Sequence, residues 1–313
     1  MKKQGLEAFK QGNYYRAAEF FQESIKRGGK NDTVLFFLAE AKRKVNYCGD
    51  ALQYYLELSQ KDSTTFPQAV FYAGLMYKRL GQYDKSQDKF LEYSILEDQS
   101  IPEERLEQEI KSCNVARELI KDTINVDIED PGEHINSHYT DFGAVQLSDQ
   151  SIYFSSLRPV SDEESSGLIP RDFRTDIYKS RVSTGGYSPG RRWNSPVNHK
   201  RKHTANIAFN QDENLLYFTR CDRVDGEMVC HIYYSEKNAR SWGTPQKLPG
   251  IINKAGYTST HPHITKTAGQ PVLYYTSDRP GGQGGLDIWY SIIQNGEYTT
   301  PVNLGTRINT PGD

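Results

Sequence analysis

Two internal repeats of different period divide this sequence, so the chain reads as two successive arrays rather than one continuous core. In the first, Gly5, Gly12, Tyr14, Ala17 and Phe21 return as Ala39, Asn46, Cys48, Ala51 and Tyr55, and again as Gly74, Gly81, Tyr83, Ser86 and Phe90. The anchor advances 34 residues from Ala17 to Ala51 and 35 from Ala51 to Ser86. In the second, an Ile/Val-Asn pair recurs at Ile135-Asn136, Val197-Asn198, Ile252-Asn253 and Ile308-Asn309, at spacings of 62, 55 and 56 residues. A fixed period of this kind marks stacked supersecondary units, each burying its apolar face on the next.

Composition changes at the same place. Residues 1–130 hold 7 Gly and 2 Pro, and residues 131–313 hold the other 18 Gly and 12 Pro. Gly and Pro punctuate turns, which predicts helices first and then many short strands. The domains are expected at 1–125 and 126–313. With 38 Lys+Arg against 40 Asp+Glu the net charge is -2, which excludes a nucleic-acid binder working by bulk charge. Hydrophobic residues make up 36%, too many for a disordered chain. No apolar run approaches the roughly 20 residues that cross a bilayer, so no transmembrane segment is expected. Met1-Lys2-Lys3 has no apolar stretch behind it, so the start is not a secretory signal.

The helical spacing resembles the tetratricopeptide repeat (TPR), a helix-turn-helix with small residues where its helices touch and an aromatic filling the gap. Three repeats span residues 1–99, although the second has lost both turn-side glycines and its tyrosine. Pro102-Glu103-Glu104 opens a further helix to about Asp122, with Pro at the first turn and acids at the positive end of the helix dipole, as a cap. The resemblance implies a concave partner-binding face on the first helix of each pair. By register, that face carries Lys10, Phe36, Arg43, Lys44, Phe71, Lys78 and Arg79. Such a groove is basic with aromatic patches and is expected to accept an acidic or carboxylate-ended segment.

Past Val126, three blocks align: Ile152 to Ser156, Leu216 to Arg220 and Leu273 to Ser277. Each is followed by a second strand, Asp176-Ile177-Tyr178, His231-Ile232-Tyr233 or Asp287-Ile288-Trp289. Four antiparallel strands per unit make a β-propeller blade, and these blades resemble the TolB-like PD40 repeats. Val160 to Arg174 reads as an insertion in the first blade. Three blades do not close a ring, because propellers use about four to eight. The natural protein is therefore expected to continue. The fold class is thus a multidomain α-then-β chain, an all-α TPR solenoid followed by an incomplete β-propeller of PD40/WD40-like blades.

No catalytic set emerges. The loop Pro280 to Gly285 lacks the Lys-Ser/Thr of a phosphate-binding loop and precedes a strand, so it reads as a tight connection. His261-x-His263 has the spacing of two side chains on one strand face, but no cluster completes a metal site. Glu163-Glu164 and Glu103-Glu104 read as surface acids, and no serine elbow or Cys-His protease pattern occurs. The basic run from His199 to His203 reads as a loop between blades. No enzyme activity, cofactor or metal is expected.

Cys221 and Cys230 bracket the turn dipeptide Asp225-Gly226, which brings the thiols together across one hairpin as a disulfide candidate. Cys48 and Cys113 are candidates for a second bridge; four free thiols in a cytoplasmic protein is the alternative. A TPR array leading into PD40 blades is similar to a group of OmpA-like envelope proteins of Bacteroidota, which includes a component of type IX secretion. The resemblance implies a periplasmic, outer-membrane-associated adaptor with a lipoprotein leader before it and cell-wall-binding domains after it. Its partners would be other envelope or secretion-complex proteins, with peptidoglycan reached only through a downstream domain absent from this chain. A general TolB-like envelope-integrity protein, or a propeller enzyme on peptides or glycans, are the alternatives.

Overall fold

The computed structural model describes residues 1–61, 65–98, 100–122, 126–160, 173–238 and 241–312. Most of the Val160 to Arg174 insertion, and with it Glu163-Glu164, lies outside the described residues. Two compact units make up the chain, one built on Met1–Glu129 and the other on Asp130–Arg158 and Arg174–Asp313.

The first unit is a solenoid of helix pairs: α1 (Lys2–Lys10) with α2 (Tyr14–Lys26), α3 (Asp32–Lys44) with α4 (Cys48–Lys61), and α5 (Gln68–Arg79) with α6 (Tyr83–Ser94), followed by α7 (Glu103–Leu119). The repeated small residue exists because an aromatic ring lies on it. A Cβ added to Gly5 would stand 2.6 Å from the Phe21 ring, and one on Gly74 would stand 2.7 Å from Phe90. Both rings are wholly buried. Each first helix ends in the same way, with the chain turning through a left-handed residue at Gly12, Asn46 or Gly81. That residue's N–H and the next one's bond back to the last-turn carbonyls, as when Asn46 N–H reaches Arg43 and Tyr47 N–H reaches Lys42. Asn tolerates this conformation better than other side chains, so the second repeat keeps its turn without glycine.

In the second repeat the buried aromatic is Tyr55, whose hydroxyl must find a partner in the core. It donates to Glu40, which is also buried, and Glu40 is held in turn by Arg43, with Nη2 at 2.6 Å and Nε at 3.1 Å. One hydroxyl in the position of a phenylalanine therefore brings an ion pair into the inter-repeat core.

Among the described residues the second unit holds three antiparallel sheets, which do not close a ring. The first contains β1 (Asp141–Gln146), β2 (Ser151–Pro159), β3 (Phe173–Ser183), β4 (Gly186–Tyr187) and β5 (Arg191–Arg192). The second contains β6 (His203–Phe209), β7 (Leu215–Val224), β8 (Glu227–Asn238), β9 (Ser241–Trp242) and β10 (Gln246–Lys247). The third contains β11 (Ser259–Thr267), β12 (Gln270–Ser277), β13 (Asp287–Gln294), β14 (Glu297–Tyr298) and β15 (Val302–Asn303). In every sheet the expected fourth strand is two short pieces, both paired with the third strand. Pro189, Pro245 and Pro301 fall in the gaps, because proline has no N–H for the ladder. Short broken edges also discourage pairing with foreign strands.

The first strand of each sheet carries a bulge, with a left-handed residue at Gly143, Asn206 or His261. The bulge frees an N–H for the preceding sheet. Asn206 donates to Ser155 Oγ at 3.0 Å and His261 to Thr219 Oγ1 at 3.1 Å. The Ile/Val-Asn pairs have an equally specific role. Asn198 accepts from the Ile177 N–H at 2.7 Å and donates to the Ile177 and Trp193 carbonyls. Asn253 does the same for Ile232 and Leu248, and Asn309 clamps Ile288 in the same manner. Each Asn thus completes the third strand of its own sheet, while the preceding Val197 or Ile252 packs into the core shared with the next.

Candidate interaction site

The seven groove positions expected from register fare differently. Phe71 is a correction. It is 3% exposed and packs with Phe90, Tyr93, Leu106 and Cys113, because α7 lies over the last repeat and turns this position into core. Lys78 is a second correction as a free groove cation: Glu109 and Ser112 of α7 take its ammonium. Arg43 is a third, since Glu40 and Tyr55 hold it and its guanidinium lies 4.3 Å over the Tyr72 ring. Burial alone would lower the Arg43 pKa; the Glu40 carboxylate outweighs it and holds the guanidinium above its ordinary value. A free carboxylate entering the groove would have to compete with partners already in place.

Lys10, Lys44 and Arg79 remain exposed. They stand at the same register in the last turns of α1, α3 and α5, where a cation complements the negative end of the helix dipole. Lys44 also lies 5.9 Å over the Tyr14 ring, and Arg79 donates to Asn46 at 2.8 Å. They therefore recur at the C-terminal ends of the first helices of the three pairs.

A set of aromatic rings is in contact across the first two repeats. Phe36 stacks on Phe66 with centroids 4.8 Å apart, meets Phe37 edge-on at 5.8 Å, and Phe37 meets Phe9 at 5.3 Å. Tyr72 lies apart from this chain of rings and meets the buried Tyr55 at 5.6 Å. Phe9, Phe36, Phe37, Phe66 and Tyr72 are all half-buried. Phe37 and Tyr72 stand 35 residues apart in the same register, a signal present in the sequence.

In the second unit, Cys221 and Cys230 are directly opposite partners of the β7–β8 hairpin and are joined by a disulfide. The turn between them is Asp225-Gly226, both with positive φ, the two-residue type that matches strand twist. Cys48 and Cys113 are not joined, which corrects the second candidate bridge. Cys48 opens α4 where the other repeats have Tyr14 and Tyr83, and its neighbours are the α3–α5 core. Cys113 is buried on α7, 3.3 Å from Ser86 Oγ, in a different core.

The glycine loop at Pro280 to Gly285 folds on Asp287. Gln283 N–H donates to that carboxylate, and any Cβ on Gly282 would collide with it. His261 and His263 are both exposed on β11, with a bulge in the pairing between Thr260 and His263. Among the described residues no three His, Cys, Asp or Glu side chains cluster as a metal site, and no helix is long and apolar enough to cross a membrane. A cleft of about 1090 Å³ opens between the second and third sheets, lined by Tyr217, Tyr234, Leu248, Ile264 and Tyr298. Nothing in the sequence reading anticipated it. The Tyr217 and Tyr298 hydroxyls meet at 3.0 Å, and burial pushes both phenols above their ordinary pKa, so they serve as neutral hydrogen-bonding groups.

No family model matches the chain, and no curated protein matches it. Among solved structures, the first TPR of Spaghetti (RPAP3) bound to an HSP90 peptide is 16% identical, covers 37% of this chain and 90% of that one, and has a TM-score of 0.33. The Yersinia enterocolitica type III secretion translocator chaperone SycD is 13% identical over 37% of this chain and 83% of its own, at 0.34. The endo-arabinase from Bacteroides thetaiotaomicron is 14% identical over 52% of this chain and 61% of its own, at 0.36.

Proposed function

We propose that this chain is a non-enzymatic scaffold whose helical array docks a partner protein on the aromatic rings of its first two repeats. The observation that carries it is the contiguous half-buried set Phe9, Phe36, Phe37 and Phe66. Half-exposed aromatics at the centre of a patch are what interfaces use as anchors. Because Arg43 and Lys78 already have carboxylate partners, the segment recognised is apolar, with acidic residues only where they reach Lys10, Lys44 and Arg79. Co-purification of the tagged protein from its native cells tests this: Phe36→Ser with Phe66→Ser is expected to lose a partner that wild type retains. An unchanged set of partners with the fold intact would refute it.

The compartment we propose is the periplasm. The Cys221–Cys230 bridge supports it, since disulfides persist in oxidising compartments. Together with the order of the two repeats, it supports the finer reading of an OmpA-like envelope protein of the kind represented by the type IX secretion component PorE, tethered by parts outside this chain. Loss of secretion with an intact envelope on deletion of the gene is the outcome expected, whereas general leakiness would favour a TolB-like role in envelope integrity. The cleft between the second and third sheets favours a second reading, a propeller that holds or acts on a small ligand. Turnover of peptide or glycan panels, abolished by one carboxylate substitution in the cleft, would establish that reading instead.

A further inference from the structure

Positive charge gathers at the broken edge of the first sheet. Lys179 of β3 stands directly opposite Arg191 of β5, and Tyr178 opposite Arg192. Arg181 lies two residues beyond Lys179 on β3, which puts it on the same strand face. A shallow cleft of about 430 Å³ opens here, lined by Lys179, Arg181, Arg191, Arg192 and the half-buried Trp193, and no carboxylate lines it.

Only one of the four cations is neutralised. Arg192 gives Nε at 2.8 Å and Nη2 at 3.1 Å to the buried Asp176 carboxylate, which Arg174 also holds. Among the described residues Lys179, Arg181 and Arg191 form no ion pair. Arg181 spends one N–H on the Asp149 carbonyl at 3.3 Å, and the Lys179 ammonium lies 4.9 Å over the Tyr153 ring. The Asp149 carboxylate shares this field. Burial would raise its pKa, but Ser151, through its N–H and hydroxyl, and then Lys179 and Arg181 hold it below the ordinary value. With Asp149 and Asp176 set against the four cations, two positive charges remain.

The same scaffold is built twice more without this charge. Where the first sheet has Lys179 opposite Arg191, the second has Tyr234 opposite Gln246 and the third Tyr290 opposite Val302. Arg181 corresponds to Glu236 and Ile292, and Arg192 to Lys247 and Asn303. The sheet therefore forms without these cations. Like charges directly opposite on one sheet face are destabilising, so Lys179 and Arg191 cost stability unless an anion lies between them.

We propose that this cleft binds an extended acidic segment of a partner protein, with Lys179 and Arg181 meeting carboxylates two residues apart and Arg191 closing on them from β5. Side chains two residues apart on a strand are about 6.6–6.8 Å apart, so the spacing of the two cations matches alternate residues of an extended peptide. A short acidic segment brings its charge only to the cleft, whereas a long polyanion would also meet the field of a chain whose net charge is -2. The site belongs to the second unit and does not depend on the aromatic rings of the helical array.

Fluorescence anisotropy with a short labelled peptide of alternating Glu and Thr tests this on the whole chain. The peptide is expected to bind, and to bind more weakly as salt rises from about 50 mM to about 200 mM. Lys179→Thr with Arg181→Thr is expected to weaken it about fivefold to 30-fold, the equivalent of two exposed ion pairs. Arg191→Thr is expected to weaken it several-fold and to leave Tm equal or higher, because it removes like charge. A lower Tm with unchanged peptide binding would give the cations a structural role and overturn the proposal, as would failure of wild type to bind the peptide. An oligonucleotide, or vesicles containing phosphatidylglycerol, that bound wild type more tightly than the peptide and lost binding in the same variants would overturn it in favour of a nucleic acid or a membrane.

Discussion

A single buried amide does the work of a strand in each sheet of the second unit, and its removal is the most direct test at this scale. Asn253→Ala leaves the Ile232 N–H and C=O without their side-chain partner in a buried place. It is expected to cost about 2–4 kcal/mol, read from the urea midpoint at constant m. His199 makes the opposite kind of contribution. Its Nδ1 accepts the Arg201 and Lys202 N–H groups at 3.1 Å each, which requires a neutral ring. Burial, with Arg220 and Lys202 nearby, holds its pKa below the ordinary value. The unfolded chain therefore binds the proton more readily, so this stabilisation is complete above about pH 6.5 and is lost as pH falls through the folded value. An NMR titration of His199 should show a midpoint below 6.5, with the loop amides of Arg201 and Lys202 shifting in step; a midpoint above 6.5 would contradict the role.

At the scale of elements, the array depends on close approach of two helices at Gly5 and at Gly74. Gly74→Ala drives a methyl into the Phe90 ring and is expected to cost about 1–3 kcal/mol despite the better helix propensity of alanine. Thermal unfolding followed by helical circular dichroism checks it, and a stabilised variant would show that Phe90 yields freely. This contact was legible in the sequence because a small residue and an aromatic keep their spacing through three repeats. The groove was less legible. Phe71 and Lys78 share register with Phe36 and Arg43, yet α7 covers the first and neutralises the second, and no periodicity within the repeats carries the position of a helix that follows them. Glu40 beside Arg43, three residues apart on one helix, was readable in principle as an i,i+3 pair. The cleft between sheets was not readable, because it depends on how far two blades splay.

For the whole molecule, two repeat arrays with different chemistry are joined in one chain, and the account of what it does rests on its surfaces. Alkylation under denaturing conditions without reductant is expected to label two thiols, Cys48 and Cys113, and four after reduction. Labelling of all four without reductant would remove the support for an oxidising compartment. The central claim is that the aromatic set of the helical array is where a partner binds. Quantifying the partner recovered with wild type and with the Phe36→Ser, Phe66→Ser chain is its most direct test, with Tm and helix content measured on both. Loss of two interface anchors is expected to reduce recovery by at least about tenfold. Undiminished recovery by a variant that remains folded would contradict the claim.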